Sequence, residues 1–100
     1  MADGLPLAVD RTELTRFCKR AGIRELSFFG SVLRSDFTGS SDVDVLVEFG
    51  SPKSLLDHVR IQRELGELLG RKVDLVTKGA LSGRIGGEIL STRVVQYVEP

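Results

Sequence analysis

Gly30 and Ser31 are followed, after ten residues, by Asp42-Val43-Asp44, and a third acid, Asp74, interrupts a later apolar run. Acids two apart in an extended segment point to one face, with Cα atoms roughly 6.5 to 7 Å apart. Two carboxylates sharing a face repel each other, and in a sheet interior each also needs partners to offset its desolvation. A divalent cation between them removes both problems. Mg²⁺ suits such a site because it prefers oxygen ligands, takes one or two protein carboxylates, and fills its other positions with water and phosphate oxygens. Gly30 permits a positive φ and close backbone approach to a ligand. Ser31 reads as the N-cap of a short helix whose free N–H groups face an anion, and Arg34 adds a charged fork for phosphate. If Asp74 lies beside Asp42 and Asp44, the three acids form a cluster suited to metal-assisted phosphoryl or nucleotidyl transfer, in which two ions about 3.5 to 4 Å apart stabilise attacking and leaving oxygens.

The elements that must carry these residues can be read from periodicity. Val43, Val45, Val47 and Phe49 alternate with polar or acidic positions, so 42–49 reads as a strand beginning at Asp42. The run 72–77 is a second strand, with Val73 and Leu75 on one face and Asp74 and Val76 on the other. A helix is expected over 10–21, with Asp10 and Glu13 as a capping box and Gly22 as its stop, followed by a strand over 25–29. Ser51-Pro52 ends the acid-bearing strand. Leu55, Leu56, Val59, Leu65, Leu68 and Leu69 mark the apolar stripe of a helix over 54–69 that Gly70 closes. A polar turn is expected over 36–41. The C-terminal fifth reads as irregular or partner-dependent, because Gly83, Gly86 and Gly87 each disfavour a helix interior by about 1 kcal/mol against Ala. Val94, Val95, Tyr97 and Val98 form an edge strand or a contact surface, the latter favouring dimerisation or docking. This order gives an α/β (α+β) chain, a small mixed sheet flanked by helices, in a single domain over 1–100.

Pattern and spacing together resemble the nucleotidyltransferase domain of the DNA polymerase beta superfamily. Length and the run KVDLVTKGAL resemble more specifically the minimal nucleotidyltransferase (MNT) family, the antitoxin half of HEPN/MNT toxin–antitoxin pairs. The resemblance spans roughly 12–98. It implies a polymerase-beta-like fold and Mg²⁺-dependent transfer of AMP from ATP to a tyrosine of a HEPN-type RNase toxin. It assigns Gly30, Ser31 and Arg34 to the nucleotide and Asp42 and Asp44 to the metal. Asp74 is assigned as the third carboxylate of the metal and catalytic set, which helps to activate the acceptor hydroxyl. Val32, Leu33 and Ser35 stand where the family more usually has Arg, Ala and Gly, so the metal reading is closer to the pattern than the phosphate loop.

Composition narrows the alternatives. Lys plus Arg and Asp plus Glu are 14 each, so no global basic field draws the chain to nucleic acid. One hundred residues bury only somewhat over ~60% of their unfolded surface, leaving little room for a separate acceptor-binding domain, so a partner protein is the natural source of the acceptor. The N-terminal MADGLPLAVD lacks a basic n-region and a long apolar core, and no apolar stretch approaches the ~18 residues of a membrane span, so a cytoplasmic location is expected. Cys18 is the only cysteine and falls with Leu14, Phe17 and Ala21 on a helical stripe, which favours core packing. His58 reads as a solvated surface residue, as do Lys19, Arg20 and Arg24 near a helix C-terminus. Two rival functions use the same residues: a catalytically silent binding antitoxin, and a nucleotidyltransferase acting on a small hydroxylated molecule.

Overall fold

The computed structural model of the protein describes residues 9–34 and 41–100. Most of the expected turn over 36–41, and most of the N-terminal stretch read for targeting, lie outside the described residues. Helix α1 (Arg11–Ala21) starts where Asp10 accepts a hydrogen bond from the Glu13 N–H and ends at Gly22. Strand β1 (Ile23–Phe29) runs into a 3₁₀ turn (Gly30–Leu33), and β2 (Val43–Phe49) follows. Helix α2 (Leu55–Leu69) is opened by a reciprocal capping box between Ser54 and Asp57 and closed at Gly70. Then come β3 (Val73–Thr77), a second 3₁₀ turn (Lys78–Ala80), α3 (Gly83–Thr92) and β4 (Val94–Val98). The expected mixed sheet is present, in the order β3-β2-β1-β4, with β2 and β3 parallel and the other pairs antiparallel. A parallel pair needs a crossover, and α2 supplies it.

Alternation along the strands divides the sheet into two chemically different faces. Leu26 and Phe28 of β1, Val43, Val45 and Val47 of β2, Val73 and Leu75 of β3, and Tyr97 of β4 join one buried cluster. Leu14, Phe17 and Cys18 of α1 and Ile61, Leu65 and Leu69 of α2 pack into it. Cys18 is fully buried, as its place on the helical stripe implied, and burial pushes its thiol up to about 12. The alternate positions, Glu25 and Ser27, Asp44, Leu46 and Glu48, and Asp74 and Val76, lie on the other face, which is mostly polar although Leu46 and Ser27 are buried in it.

Three expectations are corrected. Leu55, Leu56 and Val59 are 78%, 82% and 51% exposed, so the first turns of α2 do not continue its buried stripe; Ile61 takes up that role one turn on. The glycine-bearing C-terminal segment is a helix and not irregular, with Gly86 lying close against Leu81. His58 is half-buried: its Nε2 lies 3.0 Å from the Leu75 carbonyl oxygen, while the Gln62 Oε1 accepts the Leu75 N–H at 2.9 Å. Two side chains of α2 thereby cover backbone groups on the outer edge of β3, where an unpaired ladder would invite another strand. Among the described residues, no helix is long and apolar enough to cross a membrane.

The far end of the polar face is tied by ion pairs. Lys78 Nζ lies 3.2 Å from Glu25 and 3.5 Å from Glu48, and Arg93 Nε lies 3.2 Å from Glu25. Burial opposes charge on Glu25, but the hydrogen bonds and charges of Lys78 and Arg93 outweigh it and hold the carboxyl below its ordinary range. A lowered folded-state range makes this contribution complete above the unfolded pKa and lost as pH falls through the folded one. Glu25→Gln is therefore expected to destabilise the fold by about 1–2 kcal/mol at neutral pH. Urea unfolding of both proteins should show that difference shrinking in acid.

Candidate active site

The acidic site is assembled at the junction of β1, β2 and β3. Phe29 pairs with Asp44 across the antiparallel β1–β2 ladder, so the chain leaves β1 beside the start of the acid-bearing strand. Gly30 turns there with φ +72°, and a Cβ at this position would collide with Asp44 Oδ2 and stand 3.1 Å from its Cγ. The backbone conformation favours glycine, and any side chain here would have to displace the Asp44 carboxylate. The next residue completes the contact: the Ser31 N–H donates to Asp44 Oδ2 at 3.4 Å, and its hydroxyl donates to the Asp42 carbonyl at 3.1 Å.

Ser31 is not the N-cap expected from sequence. Phe29 occupies that position, with no side-chain cap, and Ser31 lies within a four-residue 3₁₀ turn. Its N–H is turned toward a carboxylate of the same chain. Arg34 follows the turn, its N–H bonded to the Ser31 carbonyl at 3.0 Å, and its positive charge acts on Asp44.

The condition placed on Asp74 is met by the sheet. β3 pairs in parallel with β2, and Asp44 and Asp74 are direct register partners, on strands about 4.8 Å apart. Both occupy the face opposite the core, and Asp42 lies just outside β2, where the strand begins one residue later than expected. Asp42 and Asp74 are exposed and Asp44 is half-buried. Among the described residues, no three His, Cys, Asp or Glu side chains are drawn together tightly enough to hold an ion as they stand. The acids share a face and a register without forming a closed cage.

Burial is the first cause that pushes Asp44 above the ordinary carboxylate range, and the like charges of Asp74 and Asp42 add to it. The Ser31 N–H and Arg34 oppose the shift without cancelling it. An all-oxygen, anionic donor set with one desolvated member fits a hard divalent cation, which would remove the repulsion and leave coordination positions for phosphate. Asp42, Asp44 and Asp74 are the residues that could hold it.

Sequence reasoning missed Arg71. Its Nη1 donates to the Ser41 carbonyl at 3.4 Å, next to Asp42. The signal available was a basic pair, Arg71-Lys72, directly before the strand that carries Asp74.

Because the folded state holds the Asp44 proton more tightly than the unfolded chain does, ionised Asp44 subtracts stability as pH rises through and above its folded-state range. Asp44→Asn keeps an oxygen acceptor for Ser31 and removes the charge. It should raise the melting temperature in metal-free buffer at neutral pH, and the gain should fade in acid. Gly30→Ala, by contrast, should lower it, since strain and collision are both introduced.

With this geometry in view, comparisons with known proteins agree. The family profile described as a nucleotidyltransferase domain matches residues 11–95. The protein adenylyltransferase MntA of Thermococcus cleftensis is 42% identical over 80 residues, covering 80% of this chain and 79% of that protein. A solved structure described as a minimal nucleotidyltransferase superposes with a TM-score of 0.71 at 36% identity, covering 84% of this chain and 86% of that one. A complex of an MNT antitoxin with the tri-AMPylated HEPN toxin of Shewanella oneidensis matches with a TM-score of 0.65, covering 88% and 69% of the two chains. At 16% identity that likeness concerns the fold alone. The profile match over 11–95 and relatives at 36–42% identity place this chain in the nucleotidyltransferase family, among its minimal, MntA-like members.

Proposed function

We propose that this protein transfers AMP from Mg-ATP to a tyrosine hydroxyl of a partner HEPN-type toxin in the cytoplasm, and so acts as its antitoxin. The observation that carries the reading is the register pairing of Asp44 with Asp74 on the polar face, with Asp42 two residues ahead of Asp44 and the Gly30 turn against it. Support for the acceptor comes from relatives described as protein adenylyltransferases and from the fold shared with an antitoxin crystallised with an AMPylated toxin. Balanced charge, 14 basic against 14 acidic residues, supports a protein acceptor over nucleic acid.

The residues divide the work by position. Asp42 and Asp44, with Asp74 beside them, would hold the cation, which when bound would neutralise phosphate charge and supply Lewis acidity. Gly30 lets the triphosphate approach the backbone of the turn, Ser31 binds phosphate by exchanging its present bonds to Asp44 and the Asp42 carbonyl, and Arg34 offers charge to phosphate oxygens. Asp74, exposed beside Asp44, accepts the proton of the attacking hydroxyl. The acceptor oxygen forms a bond to the α-phosphorus, the bond from that phosphorus to the β-bridging oxygen breaks, and pyrophosphate leaves with the electron pair.

The test uses ATP labelled at the α-phosphate, Mg²⁺ and the protein encoded beside this one as the candidate toxin. Wild type should label a toxin tyrosine, and Asp42→Ala/Asp44→Ala should not. No label despite a stable complex would favour a silent binding antitoxin, and turnover of a small hydroxylated molecule without toxin would favour the other rival. Independently, millimolar Mg²⁺ or Mn²⁺ should raise the wild-type melting temperature, because a ligand held only by the folded state stabilises it by mass action. An equal rise in the double variant would count against a shared metal site.

A further inference from the structure

Asp42 lies outside the β2 ladder, exposed, so its placement depends on what holds the peptides around it. On its C-terminal side, the Val43 N–H donates to the Lys72 carbonyl at 2.9 Å and the Ser31 hydroxyl donates to the carbonyl of Asp42 itself. On its N-terminal side, the Arg71 guanidinium donates to the Ser41 carbonyl at 3.4 Å.

Arg71 is in turn fixed to the crossover helix. Its N–H donates to the Gly66 carbonyl at 3.0 Å, and its own carbonyl presses on α2 so closely that a Cβ at position 66 would lie 2.8 Å from it. This accounts for a glycine in a helix interior, where it is less favourable than alanine by about 1 kcal/mol. Position 66 is left without a side chain so that the backbone at Arg71 can lie against α2.

We propose that Arg71 is a positioning residue for nucleotidyl transfer: seated on Gly66, it links α2 to the Ser41 carbonyl and thereby sets the direction in which Asp42 presents its carboxylate. The inference rests on the nucleotidyltransferase reading of the site. A planar guanidinium keeps a fixed fork at the end of a long stem, which a lysine ammonium does not. The contact with Ser41 is long and partly solvated, so its loss by itself costs the fold little. A displacement of about 1 Å at a reacting centre, however, lowers rates on the order of a hundredfold. Arg71 therefore acts on rate more than on stability.

Three variants test this: Arg71→Gln, Arg71→Lys and Gly66→Ala, the last leaving the guanidinium chemistry untouched while pushing on its seat. Expected for Arg71→Gln are a near wild-type melting temperature, a kcat lower by roughly ten- to a hundredfold, and little change in KM for ATP. Hydrogen exchange at the Val43 amide should quicken and Mn²⁺ binding measured by electron paramagnetic resonance should weaken. Arg71→Lys should recover part of the rate, and Gly66→Ala should reproduce the kcat loss and faster Val43 exchange. Wild-type kcat and Val43 exchange in Arg71→Gln would overturn the proposal. So would a raised KM with kcat kept, which would make Arg71 a nucleotide contact, or a kcat loss that merely follows a large fall in melting temperature. If wild type itself transfers nothing, the functional reading fails, while Val43 exchange and Mn²⁺ binding still decide whether Arg71 positions Asp42.

Discussion

The contact between Gly30 and Asp44 is the constraint on which the site depends. A carboxylate at the start of β2 occupies the space where any side chain at position 30 would project, and the chain turns there in a conformation that suits glycine. Once the turn is pressed against Asp44, the Ser31 N–H meets its carboxylate and the Ser31 hydroxyl meets the Asp42 carbonyl without further arrangement. Turn and acidic strand thus form one unit, held at the end of an antiparallel ladder that already pairs Phe29 with Asp44. The parallel pairing of β3 then adds Asp74 at the same level.

The two ends of the polar face carry acids in opposite electrostatic circumstances. Glu25 and Glu48 meet Lys78, and Glu25 also meets Arg93, so Glu25 is held below the ordinary carboxylate range. Asp44 is pushed above it, by burial and by two further acids. One sheet, one face and one residue class therefore give a fully compensated cluster at one end and, at the other, one that Ser31 and Arg34 compensate only in part. That end is where a divalent cation would gain most by binding, because its charge would offset a repulsion that the chain leaves in place, and a polyphosphate could then approach the acids only through the cation.

Much of this was legible because a strand's period is two. The valines of 43–47 and the Val73, Leu75 pair declared a core face, and that put Asp42, Asp44 and Asp74 on the opposite one. Register was not legible: nothing in a single sequence says that Asp74 stands opposite Asp44, since that follows from the length and packing of the α2 crossover. Ser31 misled for a related reason. Serine after glycine suits a helix cap, but here the segment makes a 3₁₀ turn and its N–H is directed by Asp44 thirteen residues away. Leu55, Leu56 and Val59 fit a helical period, yet the stripe becomes buried only from Ile61. His58, Gln62 and Arg71 act through backbone groups of other elements, and such contacts leave no periodic trace.

A site built this way cannot stabilise its own surroundings, so the fold draws its stability from elsewhere. The opposite face of the sheet packs a continuous apolar cluster against α1 and α2, the Ser54–Asp57 box fixes the start of the crossover helix, and the Lys78 and Arg93 pairs tie the chain after β3 back to β1. Each lies away from the three aspartates. Strained or repulsive groups persist where the surrounding structure over-determines them, and here the determining parts are the core beneath β2 and the glycine above it. Selection for stability alone would replace Asp44 by a neutral residue. An aspartate placed here, against burial and beside two further acids, costs the fold stability, and that cost is the physical ground for proposing a cationic ligand on this face.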